Sequence, residues 1–291
     1  MSARDLILER FASLSPTMQR AARFVVDHPN DVVIASMRTL AERAGAQPAT
    51  FVRLAQQLGY AGWPELKNAF ADDLGLISGR YAQRAKGLTE RGHDASLVGE
   101  MFGAQHRNLD ATQAQCAPAL RDAAKILKRA KVIHVAGFRA SFPVACTLHY
   151  GLRLFRSSVA LIDGHAGSLE LQLRAVAKPD AVVVISFAPY SREALQVLES
   201  AQGAGARVVA CTDSSASPLA LRADAAVVFS VDSPSFFPSI AAGVAAVELL
   251  LEILVAEAGA GVAVAIERAE QQLYESGAYL LPPARRPSAK S

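Results

Sequence analysis

Three stretches of this 291-residue sequence combine hydroxyl, glycine and charged residues in a way suited to holding an anion. They are Gly137-Phe138-Arg139-Ala140-Ser141, Ser186-Phe187-Ala188-Pro189-Tyr190-Ser191-Arg192-Glu193 and Thr212-Asp213-Ser214-Ser215-Ala216-Ser217. Each follows a short apolar run and leads into a helical or turn pattern. At such a junction the N–H groups of a helix N-terminus point at whatever lies beyond the strand end. Gly137 lets a ligand approach the backbone, Arg139 offers a charge, and Ser141, Ser186, Tyr190 and Ser191 offer hydroxyls. Glu193 could act as a proton acceptor, and His165 in Asp163-Gly164-His165 sits at another strand end. Taken singly, each hydroxyl also reads as a helix cap or turn residue, and Glu193 as a first-turn acid favoured by the helix dipole. Three such junctions on one sheet edge favour a shared anion pocket.

A second constellation lies near the N-terminus, from Thr39 to Gly59. Leu40, Ala41 and Ala44 form one apolar face and Gly45 permits a sharp turn. A second helix starts near Pro48, with Ala49, Val52, Phe51, Ala55 and Leu58 as its expected apolar side and Gly59 as its terminator. Two short helices around a glycine turn form the helix-turn-helix pattern, or an ordinary helical hairpin. In the first reading Gln47, Thr50 and Arg53, at three-residue spacing, face outward with Gln57 one turn further. Glutamine pairs bidentately with adenine, arginine with guanine, and threonine meets a base edge or phosphate. The expected partner is a double-stranded DNA operator.

The elements that must position these residues divide the chain. Residues 1–76 read as helical throughout, with Met18, Ala21, Ala22 and Val25 as one stripe of a helix opened by Pro16 and closed by His28-Pro29. Residues 77–118 read as a glycine-loosened linker and connecting helix. From Lys131, apolar runs at Val132–Ala136, Val159–Ile162, Ala181–Ile185, Arg207–Cys211 and Ala225–Val231 alternate with helices near 141–156, 168–177, 191–204 and 236–258. Short apolar strands alternating with helices imply a parallel sheet covered on both faces. The expected class is α/β: an all-α helix-turn-helix domain over 1–76, then a three-layer domain with a five-stranded parallel sheet over 119–260. A helix over 261–280 and a disordered tail over 281–291 follow.

Composition narrows the function classes. Fifty-one per cent hydrophobic and 20% charged residues describe a chain with a large core. A net charge of +3 is too weak to argue a nucleic-acid partner by itself. Nine basic against eight acidic residues over 1–80 leave the helix-turn-helix nearly neutral, and the surplus falls on 81–130. Three cysteines (Cys116, Cys146, Cys211) form no CxxC pair and read as reduced thiols. HExxH, GxSxG and GxGxxG motifs are absent, so neither a metal, a catalytic residue nor a cofactor is expected. No apolar run approaches the roughly 20 residues of a membrane span, and the expected location is the cytoplasm. His134 and His149 read as packed core residues.

Ser15-Pro16, Asp27-His28-Pro29, the glycine-turn hairpin and Leu58-Gly59-Tyr60-Ala61-Gly62-Trp63-Pro64-Glu65-Leu66-Lys67 together resemble the N-terminal domain of RpiR-type transcriptional regulators. That family usually carries serine and an acidic residue where this chain has Gln47 and Pro48, so side-chain capping is lost while proline at N1 remains compatible with a helix start. The strand-helix junctions resemble the SIS (sugar isomerase) domain that accompanies this N-terminus. There the loop after the third strand often reads Ser-x-Ser-Gly-x-Thr-x-Glu and holds a sugar phosphate. Ser186, Ser191 and Glu193 match the first serine, the threonine and the glutamate, whereas Ala188 and Pro189 replace the second serine and the glycine. Pro218-Leu219-Ala220 and Ser233-Pro234-Ser235-Phe236-Phe237 also look like family features. The resemblance covers about 1–76 and 120–260.

It implies a homodimeric or homotetrameric DNA-binding regulator controlled by a small sugar phosphate or similar anion. The alternative is a sugar-phosphate isomerase using Glu193 as base.

Overall fold

A computed structural model describes residues 3–73, 80–92 and 94–280. The expected tail over 281–291 lies outside them. The chain separates into two compact units, one of residues 1–97 with the short segments Phe187–Tyr190 and Pro234–Phe237, the other of the remainder.

The first unit is helical. Helices α1 (Ala3–Arg10), α2 (Pro16–Asp27), α3 (Pro29–Ile34), α4 (Met37–Arg43), α5 (Pro48–Gln57), α6 (Trp63–Asp73) and α7 (Arg80–Arg91) follow in chain order. Local chemistry sets the starts. Ser15 Oγ accepts from the Met18 N–H and Ser36 Oγ from the Thr39 N–H, and prolines occupy the first turns of α2, α3 and α5. The stripe expected on α2 forms: Ala21, Ala22 and Val25 are buried, and Met18 packs at their edge. Ile7, Leu40, Phe51, Leu54, Leu66 and Phe70 complete the core, with the Phe51 and Trp63 rings edge to face at 5.0 Å.

Helix α8 (Ser96–Arg129) runs unbroken for 34 residues. The boundary expected at 118/119 falls inside it. Proline removes a donor and crowds the carbonyl four residues back, which makes Pro118 look like a stop. Burial of Ala104, Asn108, Thr112, Cys116 and Leu120, every fourth residue, carries the helix through. Polar bonds add to that row: Asn108 Nδ2 donates to the Asp232 carbonyl at 2.7 Å, and Ser230 Oγ donates to Asn108 Oδ1 at 2.7 Å.

The sheet follows, as β1 (Ile133–Gly137), α9 (Phe142–Arg153), β2 (Val159–Ile162), α10 (Leu169–Arg174), β3 (Ala181–Ile185), α11 (Arg192–Gly203), β4 (Arg207–Thr212), β5 (Ala225–Val228), α12 (Ala241–Ala256) and α13 (Ala260–Glu275). Its order is β2-β1-β3-β4-β5, all parallel. All five expected strands form; the last ends at Val228 rather than Val231. The third layer comes from alternation. Val182, Val184, Val208 and Ala210 pack with Ala194, Val197 and Leu198 of α11, while α9 and α12 pack with each other and α9 lies on β1 and β2. In register, Gly137 stands beside Ile185, so the exits of β1 and β3 are adjacent.

His134 is buried as expected, its Nε2 3.1 Å from Asp180 Oδ2, and Asp180 also accepts from the Val132 and Ala177 N–H groups. Cys211 lies buried on β4, where loss of hydration pushes its thiol up to about 12. Because the thiolate is the reactive form, iodoacetamide at pH 8 is expected to alkylate partly exposed Cys146 in the native protein and to spare Cys211 until unfolding. Peptide mass mapping checks this; equal rates at the two thiols would contradict the packing.

Candidate functional site

Two sets of residues come into question, one in each unit. In the helical unit α4 ends on Gly45, whose φ of +60° is the left-handed conformation that glycine takes at no steric cost. The Ala46 N–H bonds the Ala41 carbonyl at 2.9 Å and the Gly45 N–H the Glu42 carbonyl at 3.2 Å, closing the turn and aiming the chain into α5. Gln47 caps α5 in an extended conformation without a side-chain bond, consistent with the absence of serine there.

The face that α5 presents differs from the expected one. Thr50 is only 8% exposed and turns inward with Phe51, Leu54, Ala55 and Leu58. Ala49, expected on the apolar side, is exposed. The reason is helical drift. Three-residue steps fall about 60° short of a full turn, so Gln47, Thr50 and Arg53 do not form one line once α5 is held by Phe51 and Leu54. Arg53 and Gln57 are exposed as expected, Gln47 stands exposed at the cap, and Gln56 is exposed as well. The Gln57 carbonyl accepts from Arg10 Nη1 at 3.3 Å. Among the described residues, the Arg53 guanidinium and the Gln56 amide make no hydrogen bond or ion pair.

In the α/β unit the expected anion contacts gather at the carboxyl ends of β1 and β3, with differing roles. Gly137 closes against its own helix: a Cβ there would lie 2.7 Å from Ala145 Cβ and 3.0 Å from the Ser141 carbonyl. Close strand–helix packing therefore accounts for this glycine. Ser141 was expected to meet the ligand, yet it is buried and engaged. Its Oγ accepts from the Phe138 N–H at 3.1 Å and lies 2.8 Å from both the Phe138 and Ile185 carbonyls. It clasps the β1 exit to the end of β3. Ser186 Oγ accepts from the Ser191 N–H at 3.2 Å, and Ser191 Oγ caps α11 by accepting from the Ala194 N–H at 3.1 Å. Both are buried, and each hydroxyl keeps its proton to donate.

Arg139 and Glu193 meet across these two loops, Nη2 to Oε1 at 2.5 Å. Arg139 stands in the left-handed region at φ 54° on a loop held by Ser141. Oε2 of Glu193 is shielded from solvent and accepts from none of the described residues. Neither the pair nor the orphaned oxygen was visible in the sequence, since residues 139 and 193 come together only through the β1–β3 pairing. Tyr190 lies half-buried on the short segment between Ser186 and Ser191. His165 is exposed beyond β2, and its imidazole makes no hydrogen bond among the described residues. Its loop is anchored by Asp163, which accepts from Gln172 Nε2 and the His165 N–H; these bonds hold that carboxyl below its ordinary range. At the β4 exit Ser214 and Ser217 hydroxyls accept from the Ala216 and Ala220 N–H groups, as turn residues do.

A family model described as "Helix-turn-helix domain, rpiR family" matches residues 1–75, and one described as "SIS domain" matches 126–253. The chain thus carries an rpiR-family helix-turn-helix domain followed by a SIS domain. Among curated relatives, the bifunctional protein glk of Burkholderia mallei is 29% identical over 224 residues, covering 74% of this chain and 33% of its own length. The chain thus spans about a third of that relative. The HTH-type transcriptional regulator HexR of Pseudomonas aeruginosa is 28% identical over 218 residues, 74% of either chain. The sugar isomerase domain of an RpiR transcription factor from Sphaerobacter thermophilus superposes with a TM-score of 0.55 at 26% identity, covering 63% of this chain and 99% of that one. Vibrio vulnificus NanR, solved with ManNAc-6P, shares the fold over 93% of this chain and 98% of its own, with a TM-score of 0.58 at 20% identity.

The clasp assigned to Ser141 has a direct consequence. Ser141→Ala leaves the buried Phe138 N–H unpaired, a loss of about 1–3 kcal/mol. The variant is expected to unfold at a lower urea midpoint with an unchanged slope, and an unaltered midpoint would show that the hydroxyl bears no structural load.

Proposed function

We propose that this chain is a DNA-binding transcriptional regulator whose activity answers to a small phosphorylated sugar bound at the carboxyl edge of the sheet. The observation that carries the reading is the presence in one chain of an rpiR-family helix-turn-helix, its α5 exposing Arg53, and a SIS domain with donors gathered at one edge. An isomerase has no use for the first. Relatives named as transcriptional regulators, and a NanR structure holding a sugar phosphate, support it.

The ligand chemistry follows from the edge. The start of α11, with the Ser186 and Ser191 hydroxyls, suits a phosphate. Oε2 of Glu193 needs a donor, which a sugar hydroxyl supplies. Arg139, 70% exposed on its side chain, can exchange its bond to Glu193 for one to an incoming anion. With Ala188 and Pro189 in the loop between the serines, the phosphate loses one hydroxyl and one backbone donor relative to the family pattern. In this reading the Arg139 guanidinium supplies donors in place of the two that are lost. A homo-oligomer presenting two α5 helices would bind half-sites about one DNA turn apart. Among the described residues no single helix is long and apolar enough to cross a membrane.

A thermal-shift screen of hexose and amino-sugar phosphates tests the ligand class, because a ligand that binds only the folded chain stabilises it by RT ln(1 + [L]/Kd). One or more sugar phosphates are expected to raise the midpoint of the wild type. The Ser186→Ala/Ser191→Ala double variant should lose that rise and keep its retardation of duplex DNA. An unchanged rise would move the ligand elsewhere. Isomerisation of the same sugar phosphates, with no duplex specifically retarded, would establish the isomerase instead.

A further inference from the structure

The burial pattern of α5 carries an inference about which bases the chain reads, and it rests on the DNA-binding reading above. At 100° per residue, Ala49, Arg53 and Gln56 fall within about 60° of one another, on the side opposite the buried Phe51, Leu54 and Leu58. Gln57 stands at the margin of that face, only about 20° of rotation from inward-turned Thr50, and its backbone carbonyl is tied to Arg10. The outer line is thus a methyl, a guanidinium and a carboxamide, with Arg53 and Gln56 unengaged among the described residues.

We infer that Ala49, Arg53 and Gln56, rather than Thr50 and Gln57, read the bases of each operator half-site. Each side chain has one favoured partner in the major groove. The Ala49 methyl packs on the C5-methyl of thymine, Arg53 donates two hydrogen bonds to O6 and N7 of guanine, and the Gln56 carboxamide pairs with N6 and N7 of adenine. A rise of 1.5 Å per residue sets Arg53 about 6 Å from Ala49 and Gln56 about 4.5 Å further along the axis. At about 3.4 Å per base pair, the guanine and the adenine stand one to two base pairs apart. The half-site core is therefore a guanine and an adenine in close succession, flanked by thymine on the Ala49 side. Thr50, packed in the core, has no base to meet.

Selection from duplexes with a randomised core, using the full chain and then Gln56→Ala, Gln57→Ala and Arg53→Ala variants, tests this. All three positions are exposed, so each variant keeps the core intact. The wild type should enrich a core with guanine and adenine one to two base pairs apart. Gln56→Ala should lose the preference at the adenine alone and bind the wild-type duplex about 5- to 150-fold more weakly. Arg53→Ala should do the same at the guanine, and Gln57→Ala should select the wild-type core unchanged. Lost preference with Gln57→Ala while Gln56→Ala selects normally would overturn the assignment and leave the regulator standing. A wild-type chain that enriches no sequence would overturn both.

Discussion

The parallel direction of all five strands is the constraint on which the proposed ligand edge depends. It brings every strand-to-helix junction to one side, so residues as far apart in sequence as Arg139 and Glu193 become neighbours. The β1–β3 pairing does most of this. Gly137 beside Ile185 sets the two exits shoulder to shoulder, and the Ser141 hydroxyl spans them by bonding at once to its own loop and to the Ile185 carbonyl. A loop so clasped can hold Arg139 in the left-handed region, a conformation costing about 1–3 kcal/mol where the surroundings do not enforce it. Strain, clasp and ion pair converge on one spot, where a binding site gains from a preset geometry.

A comparable constraint acts on the helical unit. Phe51 and Leu54, both wholly buried, and Trp63 packed edge-on against Phe51 leave α5 a single rotational setting. Apolar packing therefore decides which polar side chains are offered to a partner. This near-neutral unit has little long-range attraction for DNA, so under the proposed function a few placed contacts and a pairing of subunits would have to supply the affinity.

The fold was largely legible in the sequence because its signals are local and repeated. Runs such as Ala181–Ile185 and Arg207–Cys211 are too apolar and too short for anything but buried parallel strands, and Gly45 and Gly59 mark the ends of their helices. What escaped depended on rotation or on distant pairing. Thr50 looks as fit for an outer face as for a core margin, and only the packing of α5 separates the two. Ser141 carries the same hydroxyl whether it meets a ligand or the Ile185 carbonyl, and the latter requires a strand 44 residues away. Pro118 is a breaker by local rules, overridden by a buried row four residues apart. Glu193 matched a family position, yet its guanidinium partner and its unsatisfied oxygen emerge only once β1 and β3 are paired.

If the ligand edge and α5 belong to one regulatory chain, binding at each must alter the other by the same factor, typically about 5- to 150-fold. The decisive measurement is fluorescence anisotropy of an operator duplex titrated with the full chain, with and without a saturating sugar phosphate. The account predicts specific binding whose Kd shifts within that range when the sugar phosphate is added. Identical affinity for the operator in both conditions, from a chain that demonstrably holds the sugar phosphate, would contradict it.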